Sequence, residues 1–308
     1  MNNPKKIIFI VGPTAVGKSE AAFFLARRIE GEIISCDSMQ VYKEINIAND
    51  KPLQEVLAEV PHHLINIVSV EEVFDVEWFN TEATKVIKDI HNRGHIPVIV
   101  GGSGLYMQVL LDGIFQGAPR NEELRKDLER LAKKKGNEFI HQQLQKKDPQ
   151  AALKIHPHNL KKMIRALEVC VTAKQPISIL QKNRQGIWGK YDIRLVALNR
   201  DREELYQRIN QRVERMFQEG LVDEIKDLDN KKWGRTADGI IGVNEVRDYL
   251  KGHCDLEQAI EQTQLNTRHF AKRQLTWFRK EERLQWIFLK SGDTPEDIAD
   301  QIYKMIVE

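Results

Sequence analysis

The octapeptide Gly12-Pro13-Thr14-Ala15-Val16-Gly17-Lys18-Ser19 fits the pattern G-x-x-x-x-G-K-[ST], and it falls between an apolar run, Lys6 to Val11, and an amphipathic stretch that opens at Lys18. Its glycines let the backbone curl so that successive N–H groups point inward. The helix N-terminus adds the positive end of its dipole, Lys18 adds a full charge, and Ser19 offers a hydroxyl suited to Mg²⁺. A diphosphate-bearing ligand is expected; the loop leaves the rest of that ligand open.

Nucleotide hydrolases and kinases built on such a loop normally end a later core strand in an Asp that helps to hold Mg²⁺. Here Ile96 to Val100 runs into Gly101-Gly102-Ser103-Gly104, and the acid stands instead at Asp37, after the strand Glu32 to Cys36. Strand C-termini of a parallel sheet face the ligand crevice, so Asp37 and Ser103 should look into the site that Lys18 enters. A carboxylate there can take a proton from an incoming nucleophile, or it can cap a turn.

These residues need a frame. Over the first 120 residues short apolar runs alternate with amphipathic stretches: strands at Lys6 to Val11, Glu32 to Cys36, His63 to Val68 and Ile96 to Val100, helices at Lys18 to Ile29, Glu77 to Asn92 and Leu105 to Leu111. Such alternation predicts an α/β fold, a P-loop NTPase-like core with a parallel sheet flanked by helices. From Asn121 the chain changes to charged helices (Asn121 to Lys135, Glu138 to Lys146, Pro149 to Ile155, Asn159 to Ala173), read as an inserted all-helical subdomain over 121–190. A strand at Ile193 to Leu198 returns to the core. Helices follow at Glu203 to Gln218, Val222 to Asn230, Asn244 to Leu250 and Leu256 to Arg279, with an edge strand at Trp286 to Leu289, so the core is expected to comprise 1–120 and 191–308.

Composition narrows the partners. No apolar run approaches the roughly 20 residues of a membrane helix, and the first apolar stretch enters a glycine-rich turn as a strand does, not a signal peptide; a cytoplasmic protein away from membranes is expected. The cysteines Cys36, Cys170 and Cys254 have neither redox nor zinc spacing, and His62, His63, His156 and His158 lack the partners of a metal site. The total charge is only +2, but residues 121–190 carry 16 Lys or Arg against 7 Asp or Glu, a net +9, and Gln262 to Lys280 holds five basic residues and no acid. On a helical wheel Arg268, Lys272 and Arg279 share one face, with Arg273 and Lys280 to its side and Phe270, Ala271, Trp277 and Phe278 opposite. Clusters of this kind favour a polyanion, although they also coat solvated helices.

Taken together, GPTAVGKS, DSMQVYKEINIANDKP, PHHLI, PVIVGGSGLYMQVLLDG, DPQAALKIHP followed by IRALEV, RINQRVERMFQEGLVDEI and TRHFAKRQLTWFR resemble, in order and almost end to end, the motifs of the tRNA dimethylallyltransferases. The resemblance implies transfer of a dimethylallyl group from dimethylallyl diphosphate to N6 of adenosine 37 in the anticodon stem-loop of tRNA, with Mg²⁺ and with the phosphate loop holding diphosphate instead of hydrolysing ATP. It implies Asp37 as general base, a polar contact from Ser103, where the family usually has Thr, and Arg212 as a diphosphate contact. It places tRNA contacts at Ser38, Met39, Gln40, Arg125 and the stretch Lys161, Lys162 and Arg165, to which the basic face of Arg268, Lys272, Arg273 and Arg279 is added. The chain is expected to act as a monomer.

Departures from that family pattern are local. Asn46-Ile47-Ala48-Asn49-Asp50-Lys51-Pro52 stands where Ile-Gly-Thr-Ala-Lys-Pro is usual, and Gly242-Val243-Asn244 where Gly-Tyr-Lys or Gly-Tyr-Arg is usual. Two other readings share the core motifs. One is an adenylate dimethylallyltransferase using free AMP, ADP or ATP, opposed by the two basic clusters; the other is a small-molecule kinase, opposed by the glycine strand end.

Overall fold

The computed structural model describes residues 4–115 and 120–307. In chain order the elements are β1 (Lys6–Val11), α1 (Lys18–Arg28), β2 (Gly31–Ser35), α2 (Gln54–Glu59), β3 (His62–His63), α3 (Val76–Asn92), β4 (Ile96–Gly101), α4 (Gly104–Asp112), α5 (Glu122–Lys135), α6 (Asn137–Lys147), α7 (Pro149–Lys154), α8 (Leu160–Thr172) and α9 (Ile177–Leu180), then β5 (Asp192–Asn199), α10 (Arg202–Gln218), α11 (Leu221–Asp227), α12 (Val243–Leu250), α13 (Leu256–Phe278), β6 (Gln285–Phe288) and α14 (Pro295–Val307).

The six strands form one wholly parallel sheet in the order β3-β2-β4-β1-β5-β6. β1, β2 and β4 are buried nearly end to end, as their Ile- and Val-rich runs require when helices cover both faces of a parallel sheet. Register decides what meets at the strand ends. Val11 lies opposite Gly101, and Ser35 opposite Val100, so the chain leaves β1, β2 and β4 at one edge of the sheet, side by side.

The chain forms two compact units, one built from the residues up to Leu111 and from Trp188 onward, the other from Asp112–Ile187. The break falls before Asn121 because Gly113, at φ +87°, turns against the Gln185 backbone within the helical unit, while Trp188 N donates to Leu111 O at 2.9 Å within the sheet unit. The helical unit, α5 to α9, packs its own core from Ile140, Leu144, Met163, Leu167 and Val169. At its centre Asp148 caps α7 and takes the Ser178 N–H and hydroxyl.

One expected strand is cut short, and three helices, α2, α9 and α14, join those expected from the sequence pattern. The strand anticipated over His63 to Val68 stops at His63: Leu64 and Asn66 adopt φ of 60° and 57°, which ends the extension, and Val68 returns only as a bridge to Tyr42. α2 and α9 are short helices without a strong periodic signal. α14 buries Ile298, Ala299, Ile302 and Ile306 in the sheet unit's core beside Ala22 and Leu25 of α1. Among the described residues no helix is long and apolar enough to cross a membrane.

Candidate active site

The loop after β1 closes tightly. Ala15 adopts φ 62° and Gly17 φ 104°, and the chain enters α1 with no side chain capping it. Its eight residues divide by task. Gly12, Pro13 and Val16 are buried, while Thr14, Ala15, Gly17, Lys18 and Ser19 line a cavity of about 1300 Å³. The expectation that all eight hold diphosphate is narrowed at Thr14, whose N–H goes to Gln274 Oε1 at 2.9 Å and whose Oγ1 accepts from Arg212 Nη1 at 2.7 Å. The N–H groups of Ala15, Gly17, Lys18 and Ser19 have no partner among the described residues and are left for an anion.

Lys18 folds back to donate from Nζ to Pro13 O at 2.6 Å. Burial is the main reason its ammonium is held down to about 8; Arg212 pushes the same way, while Asp37 and Asp50 oppose both. An incoming diphosphate would reverse this balance by supplying the missing counter-charge.

Three arginines, one just after β5 and two on α10, hold the loop. Buried Arg200, just after β5, donates from Nε to Val16 O at 3.0 Å, Arg208 from Nε to Ala15 O at 2.9 Å, and Arg212 reaches Thr14. Arg208 and Arg212 sit four residues apart on α10, so they share a face. The i, i+4 spacing to Arg212 is the sequence signal for Arg208, which no motif names, and Arg200 carries none. Gln274, a neutral residue within a basic stretch, gives no signal until α13 is packed. Its Nε2 donates to Gly102 O at 3.1 Å, and a Cβ at Gly102 would stand 2.1 Å from that nitrogen and displace the amide. This contact and the approach of Gly101 to the Cys36 carbonyl, 2.1 Å from its would-be Cβ, explain why this strand end is glycine.

Asp37 lines the same cavity as Lys18. Its Oδ1 accepts the Met39 N–H at 2.8 Å, so the turn-capping role is real, while Oδ2 has no hydrogen-bond partner among the described residues. Ser103 stands one step behind, with its Oγ accepting the Ser38 N–H at 3.2 Å and thereby setting the turn that carries Asp37 and Ser38. Ser38, Met39 and Gln40 line the cavity; Gln40 Oε1 is bonded by the Ser35 hydroxyl at 2.8 Å. The neighbouring Cys36 thiol is buried and pushed up, chiefly by that burial, and plays no part as a nucleophile.

Basic residues anticipated at an RNA surface divide in two. Lys161, Lys162, Lys272, Arg273 and Arg279 are exposed, and Arg273 also lines the cavity. Arg125, Arg165 and Arg268 are engaged within the protein. Arg125 grips fully buried Glu168 with two bonds of 2.7 Å and Arg165 adds one of 2.6 Å, because a buried carboxylate must be paired. Burial would raise the Glu168 carboxyl, but these bonds and the Asn121 N–H hold it down at about 2. Arg268 Nη1 donates to Asn210 Oδ1 at 2.6 Å. The histidines also have local partners: His63 Nε2 lies 2.7 Å from Glu32, and His62 Nδ1 lies 2.7 Å from Val60 O.

Mg²⁺ usually keeps several waters and is held through substrate phosphates and one or two protein oxygens. The exposed Ser19 hydroxyl at the start of α1, beside Lys18 and the free amides, fits that mode of binding.

A parallel sheet with a glycine-lysine loop after β1, a cavity lined by Lys18 and Arg212 beside it, and the carboxylate of Asp37 after β2, two strands away, define a P-loop-like α/β protein. The chain belongs to the IPP transferase family, whose model matches residues 40–281. It is 42% identical to the tRNA dimethylallyltransferase of Alkaliphilus oremlandii over 97% of this chain and 96% of that relative. Among solved structures it is similar to the full-length tRNA isopentenylpyrophosphate transferase of Bacillus halodurans, with 38% identity, a TM-score of 0.71 and coverage of 98% of this chain and 97% of that one. It is also similar to a eukaryotic dimethylallyltransferase acting on tRNA, with 30% identity, a TM-score of 0.82 and coverage of 97% of this chain and 77% of that one.

Proposed function

We propose that this chain transfers the dimethylallyl group of dimethylallyl diphosphate to N6 of adenosine 37 in tRNA and releases diphosphate. The observation that carries the reading is one cavity lined both by Lys18, Arg212 and the loop residues with free amides and by Asp37. The first set suits a leaving diphosphate, the second a nucleophile that must lose a proton.

The bond from the allylic carbon to the diphosphate oxygen breaks as that carbon bonds to N6, the electron pair leaves with the diphosphate, and the N6 proton passes to Asp37 Oδ2. Lys18, Arg212 and the amides of Ala15, Gly17, Lys18 and Ser19 neutralise the growing charge. Mg²⁺, when bound at Ser19, would add a Lewis acid to the same oxygens. Asp37 both orients the weakly nucleophilic amine and receives its proton, while Ser103 fixes the turn that aims it. The base must leave its stack to reach the cavity, so the target is a loop nucleotide. Exposed Lys161, Lys162, Lys272, Arg273 and Arg279 supply phosphate contacts. The enzyme works as a monomer in the cytoplasm, where its tRNA is.

The test is incubation with labelled dimethylallyl diphosphate and either total tRNA or AMP. Label in tRNA alone is expected; label in AMP alone would replace this reading by the free-nucleotide enzyme.

A further inference from the structure

Asn46–Pro52 carries an acid to the cationic side of the cavity, and the segment is firmly built. Glu224 accepts the N–H groups of Asn46, Ile47 and Ala48 at 2.7, 2.8 and 3.1 Å, and Lys51 Nζ donates to Tyr42 O and Asn66 Oδ1. Between these anchors Asp50 adopts φ 47°, a left-handed conformation that Asp and Asn tolerate better than most residues. Its carboxylate lies 3.4 Å from Arg212 and 3.2 Å from Arg215. Asp50 and Arg212 both line the cavity with Lys18.

An acid paired with the arginine that faces a diphosphate opposes the ligand's own charge. Holding it there on an anchored loop makes sense if the pair is meant to exchange. We propose that Asp50 is the resident counter-anion of the diphosphate site: it pairs with Arg212 when the site is empty, yields that arginine to the incoming diphosphate, and competes for it again when diphosphate departs. This rests on the cavity being the diphosphate site. The site's cations are thereby kept from binding the product too tightly, and affinity is set by the difference between two anions for one guanidinium. The Asp50 side chain is 41% exposed, so solvent screens the pair and the effect is moderate.

The test is titration calorimetry with inorganic pyrophosphate, with no added divalent cation, on the whole protein. Asp50→Asn keeps the shape and tolerates the left-handed backbone; it should bind pyrophosphate about three- to tenfold more tightly than the wild type, with slower dissociation in stopped flow. Asp50→Ala should do the same, which separates charge from amide chemistry. In an Arg212→Gln background the gain should shrink, because the arginine to be released is gone. Unchanged or weaker binding by both Asp50 variants, or a gain undiminished without Arg212, would overturn the proposal. A wild type that binds pyrophosphate while Asp50→Asn gains nothing refutes the counter-anion alone. Binding by neither the wild type nor either Asp50 variant refutes the site as well.

Discussion

Gln274 and Thr14 are joined by a 2.9 Å hydrogen bond from the Thr14 N–H to the Gln274 carbonyl oxygen, while the amide nitrogen of the same buried glutamine donates to Gly102 O. One side chain of α13 therefore clamps the loop after β1 to the loop after β4. Each end satisfies a backbone group that burial would otherwise orphan, and each fixes a wall of the same cavity.

Gln274→Leu removes both bonds at nearly constant volume. Leaving the Thr14 N–H and the Gly102 carbonyl unpaired should cost about 2–4 kcal/mol, read as a lower urea midpoint, and should raise the KM for dimethylallyl diphosphate. An unchanged midpoint would show that the clamp carries no energy.

Lys18 has a folded-state pKa of about 8, below its ordinary value. Between pH 8 and 10.5 the unfolded chain binds the extra proton, so this residue's contribution to stability rises with pH across that window. Lys18→Ala should accordingly be no less stable than the wild type at neutral pH, yet should lose most diphosphate affinity and nearly all turnover. Because diphosphate favours the charged lysine, wild-type affinity should fall as pH rises above about 8. Calorimetry across this range checks both; normal diphosphate affinity in Lys18→Ala would defeat the assignment.

Asp37→Asn should bind both substrates almost normally and lose on the order of 10² to 10⁴ in single-turnover rate, the range for loss of a general base. Ser103→Ala should cost less, since its hydroxyl positions the Ser38 turn and takes no proton. A wild-type rate in Asp37→Asn beside a dead Ser103→Ala would reverse these roles.

Glu168 is held at about 2, against an ordinary value of 4.5, by Arg125, Arg165 and the Asn121 N–H. A folded pKa below the unfolded one means that its stabilisation is complete above about pH 4.5 and is lost as pH falls toward 2. Glu168→Gln should cost about 3 kcal/mol at pH 7, and its deficit against the wild type should shrink through that acid window. A deficit independent of pH, measured by denaturant titration, would mean that packing and not charge is what Glu168 supplies.

tRNA affinity should fall steeply with salt. Neutralising Lys161, Lys162, Lys272 or Arg279 singly should flatten the log–log slope by about 1 each, because these side chains are exposed. Arg125→Gln should instead act through the stability of the helical unit. A salt-independent affinity would remove the electrostatic surface from the account.

The phosphate loop, the order of strands and helices, and Asp37 beside Lys18 were legible in the amino-acid sequence, because each rests on local rules: glycine placement, alternation of apolar runs, and the facing of parallel strand ends into one crevice. The apolar spacing of α14 is helical, while β3 is shorter than its run implies because left-handed residues at Leu64 and Asn66 break it.

Only the tertiary structure could assign partners. Arg125 and Lys161 look alike as basic residues on helices, yet one is drawn inward by a buried carboxylate 43 positions away in sequence order, at Glu168, and the other faces solvent. Likewise Gln274 is polar on a helix face whose seam is closed by Ala271 and Phe278, and nothing local distinguishes it from a solvent-facing glutamine. Asp50 meets Arg212 and Arg215 only because Glu224 anchors its loop from another helix. Burial and long-range pairing depend on which surfaces the whole chain brings together, so the sequence determined the chemistry available here, and packing decided which side chains are free to perform it.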